Sequence, residues 1–321
     1  MLSDKTPDSP IVYLSVSSAP PTVKKSFWKR HKINSGLAFV LPAVLMYLLF
    51  VAWPIISTVQ TSFFDWDGIS IEREFVGFQN YIDLLTNDRT FRLSIRNNLL
   101  WAGLSITSLA VFGFLIAYML NQRLRFRNIY RTLIFLPATA SLVVIGYTWE
   151  FMYRTDGGIV NEIFKFLGME SAIRIWLADA NVTIFAVIVV GIWSSLGVWV
   201  VIYLAALQGI PQDLYDSAAV DGATGFKQMV YLAIPLTMPT TRALLILGMI
   251  GSINQFGLIF LMSRGGPYHA SEVMAYQIYE LAFRTNHAGY ASALSVLLLL
   301  LSAGVTVAQL RLIKGNFRMF G

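Results

Sequence analysis

Six stretches of this chain contain no Asp, Glu, Lys or Arg: residues 36–60, 97–121, 132–149, 180–212, 243–263 and 285–310. An ionised side chain in hydrocarbon is costly, and a spanning helix needs about 20 mostly apolar residues. The third stretch is short, and Glu150 closely follows it; the fourth is longer than a bilayer requires, and its lipid part is placed at 182–206. Only 13% of the 321 residues are charged and 56% are hydrophobic, whereas a soluble domain carries about 25% charged residues. Such a surface cannot face water, which excludes soluble enzymes and disordered scaffolds. The chain is therefore expected to be an all-α membrane protein with six transmembrane helices. Zero cysteines remove thiolate catalysis, iron–sulfur clusters and disulfides. Three histidines at scattered positions show no metal-ligand spacing, so no metal site is expected.

The loops orient the spans. With the N-terminus inside, 15 of the 24 Lys and Arg residues fall on inner segments, and the connection after the second span reads QRLRFRNIYR, with four arginines and no acid. Cytoplasmic loops collect Lys and Arg in this way, so both termini are expected in the cytoplasm. The net charge of +6 thus reports topology, not nucleic-acid binding. Residues 1–33 read as a Pro/Ser-rich tail ending in KKSFWKRHK, and the 25 uncharged residues that follow read as a retained first helix, not a secretory signal. The basic cluster is expected to fix topology, with binding of anionic lipid as the alternative reading.

One inner loop breaks the plain pattern. Residues 209–241 read GIPQDLYDSAAVDGATGFKQMVYLAIPLTMPTT, and plain connections usually run about 2–8 residues. Leu214, Ala218 and Ala219 give a short apolar helical face, and Asp221-Gly222 is a turn signal. After Gly225 a second amphipathic stretch leads to Pro235 and Pro239. The reading is a helix–turn–helix outside the bilayer, rich in small residues so that another protein surface can approach.

These residues resemble the permease subunits of binding-protein-dependent ABC importers. Their cytoplasmic signature is Glu-Ala-Ala, three residues, Gly, nine residues, Ile-x-Leu-Pro. Here it becomes Asp216-Ser217-Ala218, Gly222 and Leu232-Ala233-Ile234-Pro235, with both spacings kept. The resemblance extends to LPAVLMYLLFVAWPIISTVQTSFFDWDG, NIYRTLIFLPA, NQFGLIFLMSRGGP and GYASALSVLLLLL, and points to the carbohydrate/glycerol-phosphate, maltose-permease-like group. It implies a type I ABC importer permease fold, with a six-helix unit over 34–321, a shared core at about 93–312 and a coupling helix in the 209–241 loop.

The resemblance also implies the partners: a second permease subunit, a pair of ATPase subunits, an extracytoplasmic solute-binding protein and a sugar substrate, in a bacterial or archaeal plasma (inner) membrane. Coupling to the ATPases is expected from Asp216, Ala219, Asp221, Gly222, Ala223 and Thr224. Asp216 is placed early in the coupling helix, where unpaired N–H groups favour a carboxylate. No G-x-x-x-x-G-K-[ST] occurs, so the chain is not expected to be an enzyme or to bind a cofactor; ATP and Mg belong on the partner ATPase.

Substrate contacts are expected where polar groups interrupt apolar spans. The fourth span offers Trp193, Ser194, Ser195 and Trp199, and the fifth offers Ser252, Asn254 and Gln255. Ser194, Ser195, Ser252 and Gln255 match sugar-contacting segments of the group, whereas Ala138 stands where the group has an aromatic contact. The spans hold no arginine, which favours a neutral sugar. An ion-coupled secondary transporter is the alternative. It would usually show two related halves and an intramembrane acid, and neither is visible.

Overall fold

The computed structural model describes residues 39–122 and 124–315. The basic tail expected over 1–33 lies outside the described residues. The chain divides into two compact units, 1–55 and 56–321. Helix α1, Phe39–Thr61, begins in the first and contains a π-helical stretch at Leu48–Ala52.

After α1 a two-stranded antiparallel hairpin pairs β1 (Phe64–Asp65) with β2 (Glu74–Phe75), followed by the short helix α2 (Gln79–Thr86). The amide of Asn80 ties this cap together by donating to the carbonyls of Ser62 and Phe64. Helix α3, Arg89–Asn121, starts where the Asp88 carboxylate accepts from the Phe91 N–H at 2.9 Å, an N-cap that satisfies one free donor.

The next span departs from expectation. Residues 132–149 do not form one straight helix: α4 (Arg127–Thr139) and α5 (Leu142–Met152) meet at 98°. Pro137 lies near the end of α4, and the small residues Ala138–Ser141 allow the chain to turn there. Helices α6 (Ile159–Phe166) and α7 (Thr183–Gln208) follow. Asn161 of α6 organises the loop between them, accepting from Trp176 Nε1 at 2.8 Å and donating to the Arg174 carbonyl.

Helix α8, Gln212–Val220, forms the first arm of the 209–241 loop. The second arm does not stop outside the bilayer: residues Phe226–Ile253 form one helix, α9, which carries the loop directly into the fifth span. That span then ends ten residues earlier than the charge-free run. The chain breaks at 254–256 before a π-helical turn at Ile259–Ser263. Helix α10, Met274–Tyr279, leads through another π turn to α11, Ala288–Gly315.

Close packing explains several small residues. A Cβ on Gly113 of α3 would lie 3.1 Å from Cβ of Trp199 on α7, and one on Gly197 would lie 2.6 Å from the Ile134 carbonyl oxygen of α4. Both glycines let helix backbones approach, the usual device of membrane bundles. Tyr203 and Leu207 of α7 are buried against Phe114 and Leu120 of α3. Asn98 of α3 is 2% exposed and clamps the broken region: its amide donates to the Ile253 carbonyl and its oxygen accepts from the Met274 N–H, both at 2.9 Å.

Candidate functional site

The two interrupted spans meet. Leu142, the first residue of α5, and residues Asn254–Leu258 at the end of α9 line one cavity of about 330 Å³. Irregular backbone at membrane depth is tolerated where it is buried or lines a cavity, because its unpaired polar groups need partners there. The remaining walls come from α3, α7 and α9, and none of the lining residues is charged.

Six of the seven residues expected from the sequence are brought together here: Ser194, Ser195 and Trp199 on α7, and Ser252, Asn254 and Gln255 at the end of α9. Their chemistry is not equal. The Ser194 hydroxyl donates to the Gly191 carbonyl of its own helix at 3.0 Å, which leaves its lone pairs to accept. Asn254 turns its amide back onto the Ile250 carbonyl at 2.8 Å, so it also closes the helix end. Trp193 does not line the cavity. Its neighbour in sequence lies about 100° round the helix, and its ring packs edge-on against Trp149 with centroids 5.4 Å apart.

The tryptophans that do line the cavity are Trp101 and Trp199, 3% and 6% exposed. Trp199 was visible in the sequence; Trp101 and Ser105 were not singled out. Ser105 is 4% exposed, its Oγ is buried, and it has no hydrogen-bond partner among the described residues. Trp101, Ser105 and Leu109 recur at i, i+4 and i+8 on α3, a single face that now proves to be the cavity face. Glycines make room for the rings. A Cβ on Gly191 would lie 2.7 Å from Trp101 Cζ2, and one on Gly248 would lie 2.8 Å from Trp199 Cζ2. The result is a neutral cavity with two aromatic walls, hydroxyls and amides, suited to a polyhydroxylated guest.

The second site is the loop around α8. The helix ends in a Schellman arrangement: Gly222 has φ +81°, its N–H donates to the Ala219 carbonyl, and the Ala223 N–H donates to the Ala218 carbonyl at 2.8 Å. Gly222 is thus required by backbone conformation. Asp213, not Asp216, occupies the first turn, so the macrodipole argument belongs to Asp213. Asp216 lies a turn later and accepts from Gln212 Nε2 at 3.1 Å. Asp216, Ala219, Asp221, Gly222 and Thr224 are exposed and Ala223 is half-buried. Beside them Val220 and Phe226 are 88% and 73% exposed. The loop is held from behind: Tyr118 of α3 donates to the Gly225 carbonyl at 3.1 Å, and Gln228 Nε2 donates to the Tyr215 carbonyl at 3.0 Å.

The end of the bundle away from α8 carries the one fully buried carboxylate among the described residues. Glu272 is 3% exposed and pairs with His269; burial raises its pKa above the ordinary 4.5, while the histidine pulls it back. Asn97 of α3 secures this loop through the carbonyls of Ala270 and Glu272 at 2.9 and 2.8 Å.

Comparison with known proteins gives consistent likenesses. Residues 110–316 match the family described as binding-protein-dependent transport system inner membrane component. The chain is 32% identical over 278 residues to the probable ABC transporter permease protein YurN of Bacillus subtilis, covering 86% of this chain and 94% of that protein. It is 30% identical over 293 residues to the trehalose/maltose transport system permease protein MalF of Thermococcus litoralis, covering 90% and 96%. Among solved structures, a chain of a bacterial ABC transporter involved in import of the acidic polysaccharide alginate superposes with a TM-score of 0.80 at 24% identity, covering 89% of this chain and 98% of that one. A chain of an alginate ABC transporter in complex with alginate pentasaccharide-bound periplasmic protein gives 0.77 at 25% identity, covering 88% and 95%.

Proposed function

The chain belongs to the binding-protein-dependent transport system inner membrane components, and on that premise we propose that it carries a neutral sugar or related small carbohydrate through the cavity between α3, α7 and α9. It is a multi-pass permease subunit of an ATP-driven importer, and in this family ATP hydrolysis sits in partner subunits. The observation that carries the substrate reading is the cavity itself. Two buried tryptophan rings, the unpartnered Ser105 hydroxyl, Ser194, Ser195, Ser252 and Gln255 surround a space with no charged wall. Sugar rings offer apolar faces to aromatic walls and hydroxyls to such groups, and an uncharged lining disfavours an anionic guest. The relative named for trehalose/maltose transport agrees with that chemistry, while the two solved neighbours are named for an acidic polysaccharide.

The loop reading follows from exposure. Val220 and Phe226 present apolar surface beside Asp216, Ala219, Asp221 and Thr224, and patches of that kind mark a docking site. Its occupant is an ATPase subunit, which holds the ATP and Mg; this chain needs no cofactor of its own. A second permease completes the pathway, and an extracytoplasmic solute-binding protein delivers the sugar to the side away from α8. Both termini then lie in the cytoplasm, and the shared permease core spans about 93–312.

The test is the reconstituted importer with its solute-binding protein loaded by candidate sugars. One loaded sugar should stimulate ATP hydrolysis and be taken up. Gln255→Glu should weaken uptake while the complex still assembles; unchanged uptake would remove the cavity from the pathway.

A further inference from the structure

At the end of α4 away from the cavity, Arg131 lines a groove of about 230 Å³ between α4 and α7. Its other walls include Ile134, Phe135, Val201 and Leu204, and Gln208 at the end of α7 also lines it. The Nε and Nη2 atoms of Arg131 are shut off from solvent and have no hydrogen-bond partner among the described residues. Arg131 as a whole is only half-buried, so its guanidinium meets an acceptor from outside the chain through Nη1, the nitrogen that is not shut off.

The local electrostatics run the same way. Arg127 and Arg131 stand at i and i+4, where like charges repel. They occupy the first turns of α4, the positive end of the helix dipole. Phe126 precedes the helix in a left-handed conformation and provides no side-chain cap. Residues 122–131 contain no acid, and no acid lines the groove. One bound anion would relieve all three conditions. The apolar walls above Arg131 suit an acyl chain and offer nothing to a free hydrophilic anion.

We propose that this groove binds one anionic phospholipid, with the headgroup phosphate on Arg131 and Gln208 and an acyl chain along Ile134, Phe135 and Val201. Arginine presents paired donors that match a phosphate, and basic pockets between helices at the cytoplasmic face take such headgroups. On the orientation expected from the arginine-rich loop, the lipid belongs to the cytoplasmic leaflet. The site does not depend on the identity of the transported solute.

The test uses the complete importer in phosphatidylcholine nanodiscs with added dioleoyl phosphatidylglycerol, read by native mass spectrometry after release. The wild type should retain one phosphatidylglycerol per copy of this chain. Arg131→Ala should lower that retention about fivefold. Val201→Trp, which fills the groove at a residue 45% exposed, should lower it similarly. Excess inorganic phosphate should not displace the lipid. Equal retention by both variants would overturn the proposal. Displacement by phosphate would overturn it in favour of a simple anion site. Failure of both variants to assemble with the second permease would overturn it by making the groove a subunit interface.

Discussion

The hydrogen that Gly248 carries in place of a Cβ faces the ring edge of Trp199: a methyl there would fall 2.8 Å from Cζ2. Trp199 is 6% exposed and wedged between helices, so its ring cannot swing clear cheaply. Gly248→Ala should therefore cost about 1–3 kcal/mol through overpacking and displace an aromatic wall of the cavity. Thermal unfolding should show the loss, and uptake should fall by more than the lower amount of folded complex explains.

Ser105 gives the converse experiment. Its hydroxyl makes no bond within the described protein, so Ser105→Ala removes nothing the fold relies on. The melting temperature should stay the same or rise. The concentration of sugar giving half-maximal uptake should increase several-fold, as for loss of a neutral hydrogen bond of about 1 kcal/mol. A drop in stability with unchanged uptake would assign Ser105 to packing.

Asn98 is the reverse case, since both ends of its amide are used in a buried setting. Asn98→Leu leaves the Ile253 carbonyl and the Met274 N–H unpaired, each at about 1–3 kcal/mol. The variant should unfold at markedly lower temperature, and Asn98→Gln should not rescue it, because the longer side chain displaces the amide from both partners.

At the docking loop, Gly222→Val places a branched side chain at φ +81°, a conformation costing such residues about 1–2 kcal/mol. The cost falls on one exposed turn, so the bundle should melt normally. ATP hydrolysis stimulated by loaded binding protein should drop, while basal hydrolysis by the ATPase pair persists. Gly222→Asn, which tolerates the left-handed region, should retain most coupling.

Glu272 predicts a pH effect. Burial holds its folded pKa above 4.5, so the folded state binds the proton more tightly than the unfolded chain. Its contribution is most favourable below pH 4.5 and is lost as pH rises through the raised folded value. Glu272→Gln should therefore flatten the decline in melting temperature as pH rises above about 4.5. An identical slope in both proteins would exclude this carboxylate as the cause.

The absence of charge located all six apolar segments, because the energetic penalty it reflects is local and large. It did not reveal that two of them are interrupted. The signals were Pro137 with the small residues up to Ser141, and Asn254 to Gly257 after Ile253. Neither contains a charge, so hydropathy passes over both. The same reasoning explains the cavity residues. Ser194, Ser195, Ser252, Asn254 and Gln255 stood out as polar groups close together in sequence, whereas Ser105 stood alone in an apolar helix, where serine commonly bonds its own backbone. Trp193 and Trp199 looked alike in sequence. Only the helix phase separates them, Trp199 onto the cavity and Trp193 onto Trp149. The turn after α8 was legible through Gly222, since a positive φ is a backbone demand that one residue type meets best.

Helix α9 runs unbroken from Phe226, beside the exposed turn, through a π-helical stretch at Met229–Ala233, to Ile253, beside the cavity. At 1.5 Å per residue its 28 residues extend about 42 Å. It carries Gly248 and Ser252 at one end and receives the Tyr118 tether just before the other. A tilt of about 10° about one end would carry the other through about 7 Å, a large fraction of a sugar ring's own width. On the docking proposed for the turn, a push there would reach the proposed solute path along one run of backbone, with no relay of side-chain rearrangements.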